Sequence, residues 1–352
     1  MPKRPAFASS KRRTKKTSHN FRQYFLLLGI FLLSMLFLSA YSFIRHFEKA
    51  RIFADSSDSS GIFSSAAYSV AFIVLEDDFL TIPPKIKEIK ILYIKQNSPN
   101  SFFVNIPVNY GFDMPGKYGE ESFSSVLALG MLDNIGGEQT CSATCFQNSM
   151  LYVESALKLL TGYSLDKWVV VEPEIQDYVE NLVLQGDTLR FLDKKNIKLL
   201  SKSMRTNFTV SEFFTHYHNL RALKTRDLRI ISFSLQEVLD SNLRELNYNS
   251  NISSQELSLA ILNATKSSGV ASFGGRVVKN VGGHVISVEN AQNIEETTYM
   301  ITDNPESYVA QYLSNFFAIS KNYSKKHSPI NDPAISRADV TLVIGLDFLE
   351  NY

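Results

Sequence analysis

The chain has 352 residues, 44% hydrophobic and 20% charged, with a formal net charge of +1. That balance allows more than one packed core and excludes a chain too polar to fold. Two cysteines are too few for a disulfide scaffold or a cysteine-rich zinc site.

Met1 to Arg22 holds eight basic residues and no acidic one. Tyr24 to Ile44 holds no charged residue, is dominated by Phe and Leu, and at twenty-one residues is long enough to cross a bilayer as a helix. A cleaved signal peptide competes with this reading. The stretch is long for a signal h-region, however, and Leu38-Ser39-Ala40 lacks a small residue at the first cleavage position. Residues 1–23 are therefore expected as a cytoplasmic tail, 24–44 as a membrane span and 45–66 as a stalk. Asp55-Ser56-Ser57-Asp58-Ser59-Ser60-Gly61 is too polar to pack. Beyond Arg22 the chain carries twenty-eight basic against thirty-five acidic residues, a balance that argues against a nucleic-acid partner.

The next region, 67–246, reads as one α/β domain. Val70 to Leu75 is an apolar strand followed by a turn at Asp77-Asp78, Ile89 to Ile94 alternates, and Phe102 to Ile106 is a third strand closed by Pro107. Ser149 is the expected N-cap of a helix with Met150, Val153, Leu157 and Leu160 on one face, ended by Gly162. Trp168 to Val171 reads as a buried strand. Pro173 to Val183, Ile197 to Met204 and Val210 to Leu223 read as helices, and Leu228 to Phe233 as a closing strand.

A polar linker at 247–256 leads to a second unit at 257–349, expected as a small α/β sandwich. Leu257 to Leu262 is a short strand stopped by Asn263 and by Ser267-Ser268-Gly269. Val270, Phe273, Gly274, Val277, Val278 and Val281 recur at helical spacing before Gly282-Gly283. His284 to Val288 and Thr297 to Thr302 are strands, Ser307 to Ile319 is an amphipathic helix, and Val340 to Ile344 is a β-branched strand ending on Gly345.

The run "LAILNATKSSGVASFGGRVVKNVGGHVISVENA", then "TTYMIT" and "ADVTLVIGLDF", resembles the C-terminal module of LytR-type cell-wall proteins. Its signature falls on Asn263, Thr265, Gly269, Gly274, Gly275, Asp339, Thr341 and Gly345. The resemblance implies a binding or structural appendage outside the membrane and brings no catalytic motif. Upstream, "IPVNYGFDMPGKYGEESFSSVLALG" and "NSMLYVESALKLLTGYSLDKWVVVE" resemble the catalytic domain of the LytR-CpsA-Psr family. That likeness implies transfer of a glycopolymer from polyprenyl pyrophosphate to peptidoglycan, with arginines and carboxylates arranged around pyrophosphate and magnesium.

The working residues are replaced. The family's Ile-Pro-Arg-Asp motif corresponds to Ile106-Pro107-Val108-Asn109, and its Lys-Ile-Asn motif falls near Ser122-Phe123-Ser124. Its early Arg-x-Asp lies near Ala66 to Ser69, where neither residue type occurs, and its Arg-rich segment is largely missing between Leu182 and Arg205. No arginine at all occurs between Arg51 and Arg190. Pyrophosphate oxygens need matching cations, metal or helix N-termini, so loss of the guanidinium positions argues against the transfer reaction.

Asp77, Asp78, Asp113, Glu120 and Glu121 supply carboxylates and Lys117 a cation, but without patterned ligand spacing they read as solvated loop residues. His216 and His218 read as surface or interface histidines. Gly269 with Gly274-Gly275-Arg276 lacks the Lys and Ser/Thr of a phosphate loop and reads as a turn with close helix packing. Cys141 and Cys145 are candidates either for a disulfide or for free thiols, a regular helical turn placing them near the upper limit of bonding distance. Asn207, Asn251, Asn263 and Asn322 are glycosylation acceptors only in a eukaryotic secretory pathway, whereas the resemblance implies a bacterium.

Three functions follow. The first is a non-catalytic, membrane-anchored envelope protein that binds or scaffolds in glycopolymer or peptidoglycan assembly, with no catalytic residue, metal or cofactor of its own. The second is an active phosphotransferase with relocated ligands, which would need magnesium. The third is an envelope assembly or signalling subunit that binds proteins.

Overall fold

The computed structural model describes residues 24, 26–35, 37–38, 41, 67–79, 83–95, 101–114, 119–135, 141–184, 194–223, 228–233 and 236–350. The chain divides into two compact units, 1–51 and 52–352. In the first, the described residues are helical and exposed. Among the described residues no helix is long and apolar enough to cross a membrane. The rest of the expected span at 24–44, like the tail and stalk, lies outside them.

The second unit is mixed α/β and contains two large sheets. The first sheet has strand order β7-β6-β1-β2-β3-β8. Its strands are β1 (Ala67–Leu75), β2 (Ile86–Lys95), β3 (Ser101–Ile106), β6 (Lys167–Val171), β7 (Met204–Thr206) and β8 (Leu228–Ser232), with β4 (Gly111–Met114) and β5 (Gly119–Ser122) forming a separate hairpin. β1 pairs antiparallel to β2 and parallel to β6, while β3 pairs antiparallel to β2 and parallel to β8. The C-terminal ends of β1, β3, β6 and β8 therefore share one edge, where open α/β sheets usually carry ligand sites.

β1 is central, and from Tyr68 to Leu75 both faces are buried. Such a strand reads as a continuous apolar run rather than as an alternation. One face meets α1 (Phe123–Asn134) and α2 (Ala143–Thr161) in a core of Ile73, Ile91, Phe102, Phe123, Leu127, Met150 and Leu157. Burying each such side chain contributes about 1.5–3 kcal/mol. Gly130 lets α1 approach α2, since a Cβ there would lie 2.8 Å from the Ser149 carbonyl oxygen.

α2 begins seven residues earlier than the expected cap. Ser142, extended at ψ 170°, accepts from the Cys145 N–H, and Gly162 in the left-handed region closes the helix. Ser149 is instead buried, its hydroxyl donating to the Cys145 carbonyl. Expected helix 173–183 is a 3-10 turn at Pro173–Ile175 followed by α3 (Gln176–Leu184). α4 (Lys194–Ser203) stops at Met204, which opens β7, and α5 (Val210–Ala222) starts at a capping box of Thr209 and Glu212. α6 (Gln236–Asn247) and the short α7 (Ser250–Ser253) lead to the second sheet.

That sheet has order β10-β9-β13-β11-β12. Its strands are β9 (Ser258–Asn263), β10 (His284–Asn290), β11 (Tyr299–Thr302), β12 (Asn322–Tyr323) and β13 (Val340–Ile344). β9 lies parallel to both β10 and β13. One face is covered by α8 (Val270–Asn280) and α9 (Tyr308–Phe316) through Phe273, Val277, Leu313 and Phe317; the other carries α10 (Pro333–Arg337) against Leu262, Tyr299 and Val343.

Candidate functional site

Val108-Asn109 follows the C-terminal end of β3, and Ser122-Phe123-Ser124 opens α1, whereas Ala67 and Ser69 lie at the opposite end of β1. Val108 packs against the apolar core, while Asn109 is exposed. The Val108 carbonyl accepts from the Ser124 N–H at 2.9 Å, tying this loop to the start of α1. There the Ser122 and Ser124 hydroxyls lie 2.7 Å apart, and Ser125 donates to Glu121 at 3.0 Å and to the Ser122 carbonyl at 2.9 Å. The α1 N-terminus thus carries three hydroxyls together with the Glu121 carboxylate, whose negative charge opposes an anion there.

Aromatic rings fill the adjoining part of the edge. Phe79, just past β1, meets Phe146 edge to face at 5.5 Å, and Phe146 lies 6.0 Å from Trp168. The Phe79 N–H donates to Glu172 at 2.9 Å, and the Arg205 guanidinium lies 4.7 Å from the Phe79 ring. Arg205 directs Nη1 to the carbonyls of Ser201, Lys202 and Met204, so that nitrogen closes the end of α4. Val108 is apolar and Asn109 an amide, and Glu121 and Glu172 each accept a hydrogen bond from a local donor. Among the described residues no group of three or more His, Cys, Asp or Glu could hold a metal. Asp77, Asp78 and Glu120 are exposed, whereas Lys117 and the Asp113 side chain lie outside the described residues.

Cys141 and Cys145 are bonded, with Cα atoms 5.4 Å apart. Sequence spacing left this open because four residues fit either a helical turn, near the upper limit of bonding distance, or a closed loop. Cys141 lies ahead of the Ser142 cap, so the extended cap bends the chain and shortens the span.

Beneath the sheet, His216 is fully buried, contrary to the expected surface or interface position, whereas His218 is exposed. The His216 Nε2–H donates to the Val183 carbonyl at 2.9 Å, which leaves Nδ1 to accept from the Tyr68 hydroxyl at 3.1 Å. Burial lowers its pKa to about 4, opposed by the bond to Val183. Lys167 and Glu212 form a second buried pair at 2.8 Å. Glu154 accepts from the Trp168 indole at 2.8 Å, and burial raises its pKa to about 7 against the pull of Trp168 and Lys167. No feature of the sequence pattern distinguished Glu154 or Lys167 from surface charges.

The C-terminal signature residues have structural contacts. Asn263 Oδ1 accepts from the Thr265 N–H at 2.9 Å and hydroxyl at 2.7 Å, while Nδ2 donates to the Ser267 carbonyl at 2.9 Å. Gly269 adopts φ 83° ahead of α8. A Cβ on Gly274 would meet Ile261 and Ile344 at 2.9 Å, and one on Gly275 would meet Val288 at 3.0 Å. Asp339 accepts from the Ser258 N–H at 2.9 Å and hydroxyl at 2.7 Å. Thr341 is buried and its hydroxyl has no partner, for which nothing in the structure gives a reason. Arg276, in the segment weighed as a phosphate loop, points to the other sheet, donating to the Leu159 carbonyl and lying 3.8 Å from Asp240.

No family model and no curated protein matches the chain. Among solved structures it is similar to "TagT bound to LI-WTA", at 10% identity and TM-score 0.34 over 52% of this chain and 92% of that one. It is also similar to the LytR-CPS2A-psr family protein YwtF (TagT) with bound octaprenyl pyrophosphate lipid, at 12% identity and TM-score 0.34 over 52% and 90%. A third is protein gbs0355 from Streptococcus agalactiae, at 9% identity and TM-score 0.36 over 55% and 92%.

Proposed function

We propose that the chain is a single-pass, membrane-anchored bacterial envelope protein, with its N-terminus cytoplasmic and its α/β part outside the membrane. There it binds or scaffolds in the assembly of cell-wall glycopolymer or peptidoglycan and does not transfer the polymer. The basic tail followed by an uncharged apolar stretch supports the topology. The resemblance of both exported segments to LytR-type proteins supports the address and the ligand class.

The observation that carries the non-catalytic reading is Val108. It stands where the resemblance places an arginine, and its side chain is packed against the core. The neighbouring Ser122, Ser124, Ser125 and Glu121 offer no replacement cation, and Arg205 directs Nη1 to backbone carbonyls at the end of α4.

The test uses the full chain in detergent micelles with magnesium and a polyprenyl-pyrophosphate-linked glycan. Binding of the carrier without release of polyprenyl phosphate is expected. Magnesium-dependent release would overturn the reading.

A further inference from the structure

We propose that Cys141–Cys145 is a reversible thiol–disulfide site, reduced by an external vicinal dithiol through attack on Cys141. The two sulfurs differ in position. Cys141 precedes the helix and is half-buried, whereas Cys145 lies in the first turn of α2 and is only 7% exposed. An incoming thiolate therefore reaches Cys141 first.

The helix end selects the leaving group. α2 is 19 residues long and has no acidic residue in its first turn, so its dipole favours a thiolate on Cys145. A stabilised thiolate leaves faster in disulfide exchange and makes the reduced state more accessible. The short bridge, with a sequence separation of 4, also constrains little unfolded-chain entropy, so its contribution to the global fold is small.

The exchange balances in two steps. A thiolate of the external dithiol forms a bond to Cys141 Sγ, and the Cys141–Cys145 bond breaks with its electron pair going to Cys145 Sγ. The second thiolate of the dithiol then attacks its own mixed-disulfide sulfur and expels Cys141 as thiolate. The protein disulfide has gained two electrons, the dithiol has become a disulfide, and both cysteine thiolates take protons from water according to pH. Reduction releases Cys141 from α2 while the Ser142 cap and the core face of the helix remain.

Trp168 supplies a reporter. It is the only tryptophan in the chain and lies 6.0 Å from Phe146, the neighbour of Cys145. The full chain in detergent is equilibrated in glutathione buffers of graded reduced-to-oxidised ratio, acid-quenched and labelled with a mass-tagged maleimide. Complete reduction in reduced glutathione, with a Trp168 emission change that differs from that of the unfolded chain, is expected. A pair that stays oxidised there, or is reduced only with the emission of the unfolded chain, overturns the proposal. Direction is read from the trapped intermediate: after brief exposure to reduced glutathione, acid quench and maleimide labelling, peptide mass spectrometry should find the glutathione mixed disulfide on Cys141 and the free thiol on Cys145. A mixed disulfide on Cys145, or equal adducts on both, would overturn the assignment of Cys141 as the attacked sulfur.

Discussion

Asp166 and Ser69 clasp the N-terminal ends of two parallel strands. One Asp166 oxygen accepts from the Ser69 N–H at 2.8 Å and hydroxyl at 2.9 Å, and the Asp166 N–H returns a bond to the Ser69 hydroxyl at 3.0 Å. Ser258 and Asp339 repeat the arrangement between β9 and β13, with Asp339 N–H donating to the Ser258 hydroxyl at 3.1 Å. Each clasp fixes register by satisfying strand-end donors that pairing leaves open.

The two clasps differ in exposure: Asp166 is half-buried and Asp339 exposed. Bonds to a charged acceptor contribute about 1.5–3 kcal/mol when shielded, so Asp166→Ala should cost about 2–3 kcal/mol and Asp339→Ala under about 1 kcal/mol. Equilibrium unfolding followed by circular dichroism checks this. Equal losses would mean that burial does not control the clasp.

His216 should make the fold acid-sensitive. Its folded pKa is lowered to about 4, while the unfolded side chain takes up a proton near 6.5. Between those values the unfolded state binds more protons, so stability falls as pH drops through the window, by on the order of 2–3 kcal/mol in all. His216→Gln keeps a donor for Val183 and an acceptor for Tyr68 without the ionisation. The slope of melting temperature against pH from 7 to 4 should be shallower in the variant, and parallel curves would exclude His216 as the source.

Strong periodicity made much of the fold legible. The apolar strands 70–75, 168–171 and 340–344 lie within β1, β6 and β13, because burial on both faces requires continuous apolar runs. α1 carries apolar residues nearly all round, including exposed Leu132, so no polar stripe marked it as a helix. No element is expected across 236–246 from the sequence because Asp240, Asn242, Arg244 and Glu245 dominate it, although Leu239 and Leu243 reach the core. At the candidate site, substitution at Val108 was visible in the chain. Its packing, the Phe79–Phe146 contact and the buried His216 depend on partners distant in sequence and were not.

The signature glycines should rank by what a methyl group would strike. At Gly345 an added Cβ meets the Thr297 carbonyl carbon at 2.5 Å and the Glu295 oxygen at 2.9 Å, both backbone atoms that cannot rotate away. At Gly274 it meets side-chain ends of Ile261 and Ile344, and at Gly269 it meets open space but a φ of +83°. Gly345→Ala is expected to cost at least about 3 kcal/mol, as overpacking at its severe end, and Gly269→Ala about 1 kcal/mol, with Gly274→Ala between them. A larger loss at Gly269 than at Gly345, measured by thermal unfolding, would reverse the steric ranking.

Arg276 should hold the two sheets' layers together. Its guanidinium donates to the Leu159 carbonyl in the last turn of α2 and pairs with Asp240 of α6, with side-chain exposures of 22% and 18%. Lys158 reinforces the junction, donating to the Phe316 carbonyl at 3.0 Å and lying 4.3 Å from that ring. Arg276→Met removes the donor, leaves the Leu159 carbonyl short of a partner and takes this cation from Asp240, a loss of about 2 kcal/mol. Local opening should then raise protease cleavage in the polar segment Asn247 to Gln255 by more than tenfold, since the cleavable population follows the opening equilibrium. Arg337→Met is the control, because the Arg337–Glu289 pair is 57% and 48% exposed and lies away from this junction. Cleavage of the two variants at the same rate would show that Arg276 does not hold the layers.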